Sequence, residues 1–270
     1  MRTRTLSLLA LSIALLAGCE ETSRQKITIT GSSTIAPLIA EIAKRYEARH
    51  PDIRIDVQTG GSSRGINDPV KGLADVGMSS RALRASESDG RVTHVLARDG
   101  VAFIVHASNP ISELTDEQIL GIFTGKFDNW EQVGGNDGAI TSANRANGRS
   151  ELELMMKFYE LHPEDFQVDL ISGENQHGIK TVAGDPNAIT YMSIGASEFD
   201  IANGVPIKLL PLRGVPASSK SVASEQFPLS RPLILITTPE PLPHVSDFIE
   251  FARSESVHDL IRQQSYVPLQ

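Results

Sequence analysis

The chain has 270 residues, a formal net charge of −8 and a single cysteine. The acidic balance argues against a nucleic-acid binder, which would show a basic patch, and one cysteine excludes a disulfide within the chain. The length suffices for one large domain or two lobes with ample core.

The stretch MRTRTLSLLALSIALLAGC opens with Arg2 and Arg4, runs apolar from Leu6 to Ala17 and ends in small residues before Cys19. This is the pattern of a secretory signal, and the run is short for a membrane span of about 20 apolar residues. Leu16-Ala17-Gly18-Cys19 resembles a bacterial lipobox. The resemblance implies removal of residues 1–18 as a signal peptide and lipid attachment at Cys19, with residues 19–25 as anchor and polar tether. Several acyl chains hold a protein on a membrane where one does not. The expectation is an exported, membrane-anchored lipoprotein of the bacterial periplasm or cell surface.

Lys26 to Arg49 follows, KITITGSSTIAPLIAEIAKRYEAR. Ile27 and Ile29 alternate with Thr28 and Thr30, which predicts a strand. Gly31 supplies a turn. Ser32, Ser33 and Thr34 are helix-capping residue types ahead of an apolar run. Ile35, Leu38, Ile39, Ile42 and Tyr46 recur at helical spacing, with Pro37 in the first turn, where its missing N–H costs least. Hydroxyls and free backbone N–H groups thus meet at the positive end of a helix, a ready oxyanion site. The plainer reading is a capped helix whose serines serve only the backbone.

Ile53, Ile55 and Val57 predict a second strand, followed by Gly60-Gly61-Ser62-Ser63-Arg64-Gly65 and a helix interrupted near Pro69. Ala74 to Met78 reads as a short buried strand ending in Ser79-Ser80-Arg81. Val92–Leu96 and Val101–His106 read as two further strands. Strands separated by helices predict an α/β architecture with a largely parallel sheet. Three turns, each after a strand, carry hydroxyls at Ser32-Ser33-Thr34, Ser62-Ser63 and Ser79-Ser80. Ligands of open α/β sheets bind at the carboxyl ends of strands, so the three turns are expected to converge.

In the second half, Thr115-Asp116-Glu117-Gln118 is a capping box. Trp130 lies in a loop closed by Gly134-Gly135. Arg145 and Arg149 with Ser150 and Glu151 precede or open a helix to Leu161, again a grouping suited to anions. Ala188 to Ile194 predicts a strand, residues 200–230 a long irregular excursion, and Pro232 to Thr238 a last strand before closing helices. Gly61-Ser62-Ser63-Arg64-Gly65 also fits the G-x-S-x-G elbow of secreted serine hydrolases, but Pro69 interrupts the helix that should follow and no histidine has triad context. Neither a cysteine pair nor H-E-x-x-H is present, so no metal or other cofactor is expected.

Taken together, ITITGSSTIAPL, GGSSRGI, ADVGMSSR, TDEQILGIFTGKFDNWEQVGG, RANGRSELELM, AITYMSIG and SRPLILIT resemble, in order, the phosphate-binding substrate proteins of Pst-type ABC importers. The resemblance covers nearly all of the mature chain. It implies a two-lobed type II periplasmic binding protein fold, each lobe a mixed, mostly parallel sheet flanked by helices, joined by two crossover hinge strands. Residues 26–104 plus 233–270 would form lobe I and 105–232 lobe II. The implied role is non-enzymatic capture of inorganic phosphate and its delivery, by a monomer, to an ABC permease and ATPase complex. Binding or sensing of a related oxyanion without transport is the alternative.

Family positions carry over onto Ser33, Thr34, Ser62, Ser80, Arg145, Arg149, Ser150 and Glu151; Ser32, Ser63, Ser79 and Arg81 flank them. This chain departs from the family pattern at two places. It has Ser80 where that pattern has an aspartate, and Arg149-Ser150-Glu151 where it has Ser-Gly-Thr. The aspartate accepts a proton from hydrogen phosphate and so rejects sulfate, which has none to offer. Here Glu151 would take that role, or Arg81 and Arg149 would make a more general oxyanion clamp with Glu151 turned outward at the helix start.

Overall fold

The computed structural model describes residues 24–269. The expected signal peptide and the Cys19 anchor lie outside them. The first elements are β1 (Gln25–Gly31), α1 (Ala36–Glu47), β2 (Ile53–Thr59), α2 (Ser62–Asn67), β3 (Val76–Ser79) and β4 (Val92–His106). Next come α3 (Asp116–Phe123), β5 (Thr141–Arg145), α4 (Ser150–Tyr159), β6 (Leu170–Ser172), α5 (Asn175–Gly184), β7 (Ala188–Ser193) and α6 (Ile194–Ala202). The chain closes with β8 (Ile207–Leu209), α7 (Ser219–Ala223), β9 (Ser230–Thr237), α8 (Pro243–Arg253), α9 (His258–Gln263) and β10 (Val267–Pro268).

The strands pair in the order β2-β1-β3-β9-β4-β7-β5-β6, with β8 and β10 added on β4. Among the described residues every antiparallel pairing of these strands involves β4 or β9, and the pairings β1-β2, β1-β3, β5-β6 and β5-β7 are parallel. The helices that return the chain between parallel strands flank the sheet, as α/β architecture requires.

Buried apolar side chains gather mainly in two clusters. One joins Ile27 and Ile29 of β1, Leu38, Ile39 and Ile42 of α1, and Phe248 and Ile249 of α8. The other joins Phe103 and Val105 of β4, Phe123 of α3, Trp130, Met155 of α4 and Tyr191 of β7. Each fully buried side chain of this size contributes about 1.5–3 kcal/mol. Strand β4 serves both: Leu96 and Ala97 lie in the first cluster, Val101 to Val105 mostly in the second. Its partner changes accordingly, β9 as far as Gly100 and β7 from Val101.

The predicted pair of strands at 92–96 and 101–106 is therefore one strand of 15 residues. The polar break between the two apolar runs is Arg98-Asp99-Gly100, which reads as a loop when only hydropathy is considered. Asp99 is buried inside the strand because Arg231 of β9 pairs with it. The excursion at 200–230 also contains the end of α6, β8 and α7.

Candidate functional site

Close backbone packing brings the three hydroxyl turns together. Gly31 has φ +133°, and a Cβ there would lie 2.2 Å from the Met78 carbonyl; one on Gly65 would lie 2.1 Å from the same oxygen. The end of β1, the start of α2 and β3 thus approach as only glycine permits. Ser32 N–H donates to the Met78 carbonyl at 2.9 Å, which ties the first turn to the third.

The serines of the first turn do not cap α1. Ile35 holds the cap position with no side-chain bond, and Ala36 N–H is met by the Ser32 carbonyl. The hydroxyls are spent elsewhere. Ser32 Oγ accepts from Thr34 N–H at 3.2 Å and lies 2.9 Å from Ser80 Oγ. Ser62 Oγ accepts from Ser80 N–H at 3.1 Å. Ser80 Oγ lies 2.6 Å from Ser150 Oγ on α4, and Thr34 Oγ1 donates to Glu151 Oε1 at 3.0 Å. Five hydroxyls, Ser32, Thr34, Ser62, Ser80 and Ser150, therefore form one buried, hydrogen-bonded cluster that spans the first three turns and the start of α4.

Guanidinium groups surround it. Arg145, at the end of β5, is buried; its Nη1 donates to Ser172 Oγ at 2.6 Å and the Glu174 carbonyl at 3.2 Å, and its Nη2 to the Gly173 carbonyl at 3.3 Å. Its Nε lies 3.9 Å from Glu151 Oε2 and has no hydrogen-bond partner among the described residues. Arg149 donates from Nη2 to Glu174 Oε1 at 2.9 Å, and its buried Nη1 has no hydrogen-bond partner among the described residues. Tyr191 donates to Asn144, whose side chain also accepts from Arg145 N–H, so β7 steadies the end of β5.

Glu151 is buried with Arg231 Nη1 at 2.9 Å. Burial alone would push its carboxyl up, but Arg231 and then Arg145 outweigh that and hold it at about 2. Burial lowers the Arg145 pKa more than Glu151 raises it. Arg231 is held above its ordinary value, because Glu151 and Asp99 outweigh burial.

The remaining expected residues do not join the cluster. Ser33 is half-buried and outside its bonds. Ser63 donates to Glu153 Oε1 at 3.2 Å, and Ser79 to the Arg81 carbonyl at 2.9 Å. Arg81 is taken up by Glu87 at 2.7 Å and Glu153 at 2.7 Å, so it does not serve the clamp imagined for it from the motif. Glu151 faces the cluster, which removes the alternative of an outward-turned helix-start glutamate. The would-be nucleophile Ser63 meets a carboxylate, not an imidazole.

Arg231 and Asp99 are not among the expected site residues, although Arg231 lies in the stretch SRPLILIT. The signal that points to them is a charged residue set within an apolar strand run, VLARDGVAF and SRPLILIT. Such a charge is retained in a core only when paired. Chemically, the cluster offers short hydroxyl donors, guanidinium groups and the free N–H groups of the first turn of α4, together with one ionised carboxylate. It suits an oxyanion that can both accept and donate hydrogen bonds.

Residues 19–256 match the model of the PBP superfamily domain. The phosphate-binding protein PstS of Borreliella burgdorferi is 28% identical over 267 residues, covering 95% of each chain. A solved structure from Clostridium perfringens, assigned as a phosphate ABC transporter substrate-binding protein and containing bound phosphate, is similar with a TM-score of 0.84. It is 29% identical and covers 91% of this chain and 100% of that one. An ABC-type phosphate transport receptor from Vibrio cholerae has a TM-score of 0.73 at 31% identity, covering 90% of this chain and 100% of that one. The chain belongs to the PBP superfamily and, within it, to the PstS-like substrate-binding proteins.

Proposed function

We propose that the chain is a non-enzymatic, extracytoplasmic binder of inorganic phosphate that delivers its ligand to an ABC importer. The observation that carries this reading is the buried cluster of Ser32, Thr34, Ser62, Ser80 and Ser150 with Arg145 and Glu151. Ser32, Thr34, Ser62 and Ser80 come from segments beside the first apolar core, while Arg145, Ser150 and Glu151 come from segments beside the second. Residues 26–104 with 233–270 then act as one lobe and 105–232 as the other. Strands β4 and β9 are the crossover hinge about which the lobes close on the ligand. Cys19 carries the lipid that keeps this monomer on the membrane, beside a permease and ATPase.

Glu151 acts as acceptor for the proton of hydrogen phosphate, in place of the aspartate that Ser80 replaces. The support is its burial, its ionised state and its place in the cluster. A second reading, another tetrahedral oxyanion bound without import, rests on that same replacement at Ser80.

Titration calorimetry and thermal unfolding of the chain from Glu20 onward test the proposal. Stabilisation should grow as RT ln(1 + [L]/Kd), about 2.7 kcal/mol at a hundredfold excess of phosphate over Kd. The absence of both heat and a thermal shift with phosphate sinks it. A better response to sulfate than to phosphate favours the second reading.

A further inference from the structure

Arg231 lies in none of the hydroxyl or arginine turns that suggest an anion site, yet every nitrogen of its guanidinium is engaged. Its Nε and Nη2 donate to Asp99 Oδ2 at 3.1 and 2.9 Å. Arg231 and Asp99 are also register partners across β4 and β9, so the pair is built into the sheet itself. The other carboxylate oxygen, Asp99 Oδ1, accepts from Gly195 N–H at 3.1 Å at the start of α6. The remaining nitrogen, Arg231 Nη1, donates to Ser150 Oγ and lies 2.9 Å from Glu151 Oε1. A guanidinium fixed on one side by a strand-borne carboxylate presents a rigid fork on the other.

The two oxygens of Glu151 are then unequal. Oε1 has Arg231 at 2.9 Å and the Thr34 hydroxyl at 3.0 Å. Among the described residues Oε2 has only a 3.4 Å bond from Ser150 Oγ and Arg145 Nε at 3.9 Å. A carboxylate accepts at about four lone-pair positions, so Oε2 retains capacity for a hydroxyl donor. The charged and titratable groups around it are Arg145 of β5, Arg149 before α4, Arg231 of β9, Asp99 of β4, Tyr191 of β7 and Tyr266 before β10. Arg231 is the nearest cation of these to Glu151, because the Arg145 Nη atoms are committed to Ser172, Gly173 and Glu174.

We infer that Arg231, anchored by Asp99, is the positioning residue that keeps Glu151 an ionised acceptor aimed at the ligand, and thereby sets the preference for an oxyanion that carries a proton. The inference rests on the phosphate reading above. Phosphate and arsenate bring a hydroxyl to Glu151 throughout the neutral range; sulfate brings only oxygens with lone pairs, which a fixed carboxylate repels. A merely structural Arg231 would support the fold without moving this preference.

Sulfate is the clean probe, because its own protonation does not change near neutrality. In the wild type, sulfate should bind at least about 100-fold more weakly than phosphate, with a sulfate affinity flat from about pH 5 to pH 8, because Glu151 stays ionised. Asp99→Asn/Arg231→Gln removes the guanidinium and its anchor together, so that Asp99 is not left as a second unpaired buried carboxylate beside Glu151. In that variant the ratio should shrink to within about tenfold, and sulfate should tighten as pH falls, because a neutral Glu151 becomes a donor. Arg231→Lys, which keeps the charge, should restore most of the discrimination. A double variant that binds phosphate with wild-type sulfate rejection overturns the role of Arg231. So does a wild-type sulfate affinity that rises about tenfold or more towards pH 5, a measurement that needs no variant to fold. Failure of the wild type to bind phosphate is a different result: it removes the phosphate reading and this inference with it.

Discussion

Two ionic groups in this protein have the same composition, two arginines and two carboxylates, and different surroundings. The inner one is Arg145, Arg231, Asp99 and Glu151, with side chains at most 3% exposed. The outer one is Arg81, Arg84, Glu87 and Glu153, where Arg84 is 60% exposed and Glu153 13%. Glu153 and Glu151 both lie on the first turns of α4, so one helix start feeds both groups. In the outer group Arg84 stays solvated before and after pairing and its contacts contribute little net energy, while Arg81 at 7%, Glu153 at 13% and Glu87 at 18% are only partly reached by water. In the inner group desolvation has already been incurred, so each charge depends on its partner. The same residue types therefore make a group with one loose, solvated member, Arg84, at the rim and a fully fixed template inside.

The largest effect should come from removing one inner partner alone. Asp99→Ala leaves Arg231 without the carboxylate that holds two of its nitrogens. A loss of about 3–5 kcal/mol is expected, on the order of 10 °C in the thermal midpoint of a chain this size. Loss below about 1 kcal/mol in chemical denaturation would place Asp99 with ordinary surface pairs.

Arg145→Ala should weaken phosphate binding by about 2–5 kcal/mol, as expected when a buried anion loses a charged donor. Arg145→Lys should not recover it, because three acceptors at Ser172, Gly173 and Glu174 match a planar fork. Calorimetry with wild-type affinity in the alanine variant would remove Arg145 from the site and leave it as the support of that loop.

Acid sharpens the comparison further. Glu151 and Glu87 are both held at about 2, against an ordinary value of 4.5, Glu87 chiefly by its hydrogen bonds from Arg81. The unfolded chain binds more protons there, so their stabilisation is complete above pH 4.5 and is lost as pH falls from there towards 2. For buried Glu151 this amounts to about 3 kcal/mol; for Glu87, nearer to water, screening leaves less. Thermal midpoints measured down this range should fall more steeply for wild type than for Glu151→Gln. Parallel curves would contradict the assignment.

The smallest effect belongs to the rim. Arg84→Ala should cost about 0–1 kcal/mol and less at high salt. A loss above about 2 kcal/mol, insensitive to salt, would mean that the outer group is as dry as the inner one.

What the residues determine locally was legible in the chain. The capping box predicted at Thr115 forms as written, with Thr115 Oγ1 accepting from Gln118 N–H at 3.2 Å and Gln118 Oε1 from Thr115 N–H at 2.9 Å. The helix after Gly61 breaks at Pro69, and the buried face of α1 is the one its spacing marks. These are consequences of neighbours within a turn or two, so a linear reading reaches them. Three hydroxyl turns at strand ends were legible for the same reason. Which hydroxyl of each turn enters the cluster was not legible from residue types alone; the family resemblance singled out Ser62 and Ser80 but gave Ser33 in place of Ser32. Ser62 and Ser80 enter while their neighbours Ser63 and Ser79 bond elsewhere, because adjacent side chains leave a strand or a helix in different directions. The phase is set by how β1, α2 and β3 pack through Gly31 and Gly65. Arg81, which the motif groups with the serines, is drawn off by Glu87 and Glu153. The pairing of Asp99 with Arg231 joins residues 132 positions apart. Sequence alone marks two charges in apolar runs. Only the antiparallel register of β4 against β9 makes them partners, turns two apparent strands into one, and delivers the guanidinium to Glu151.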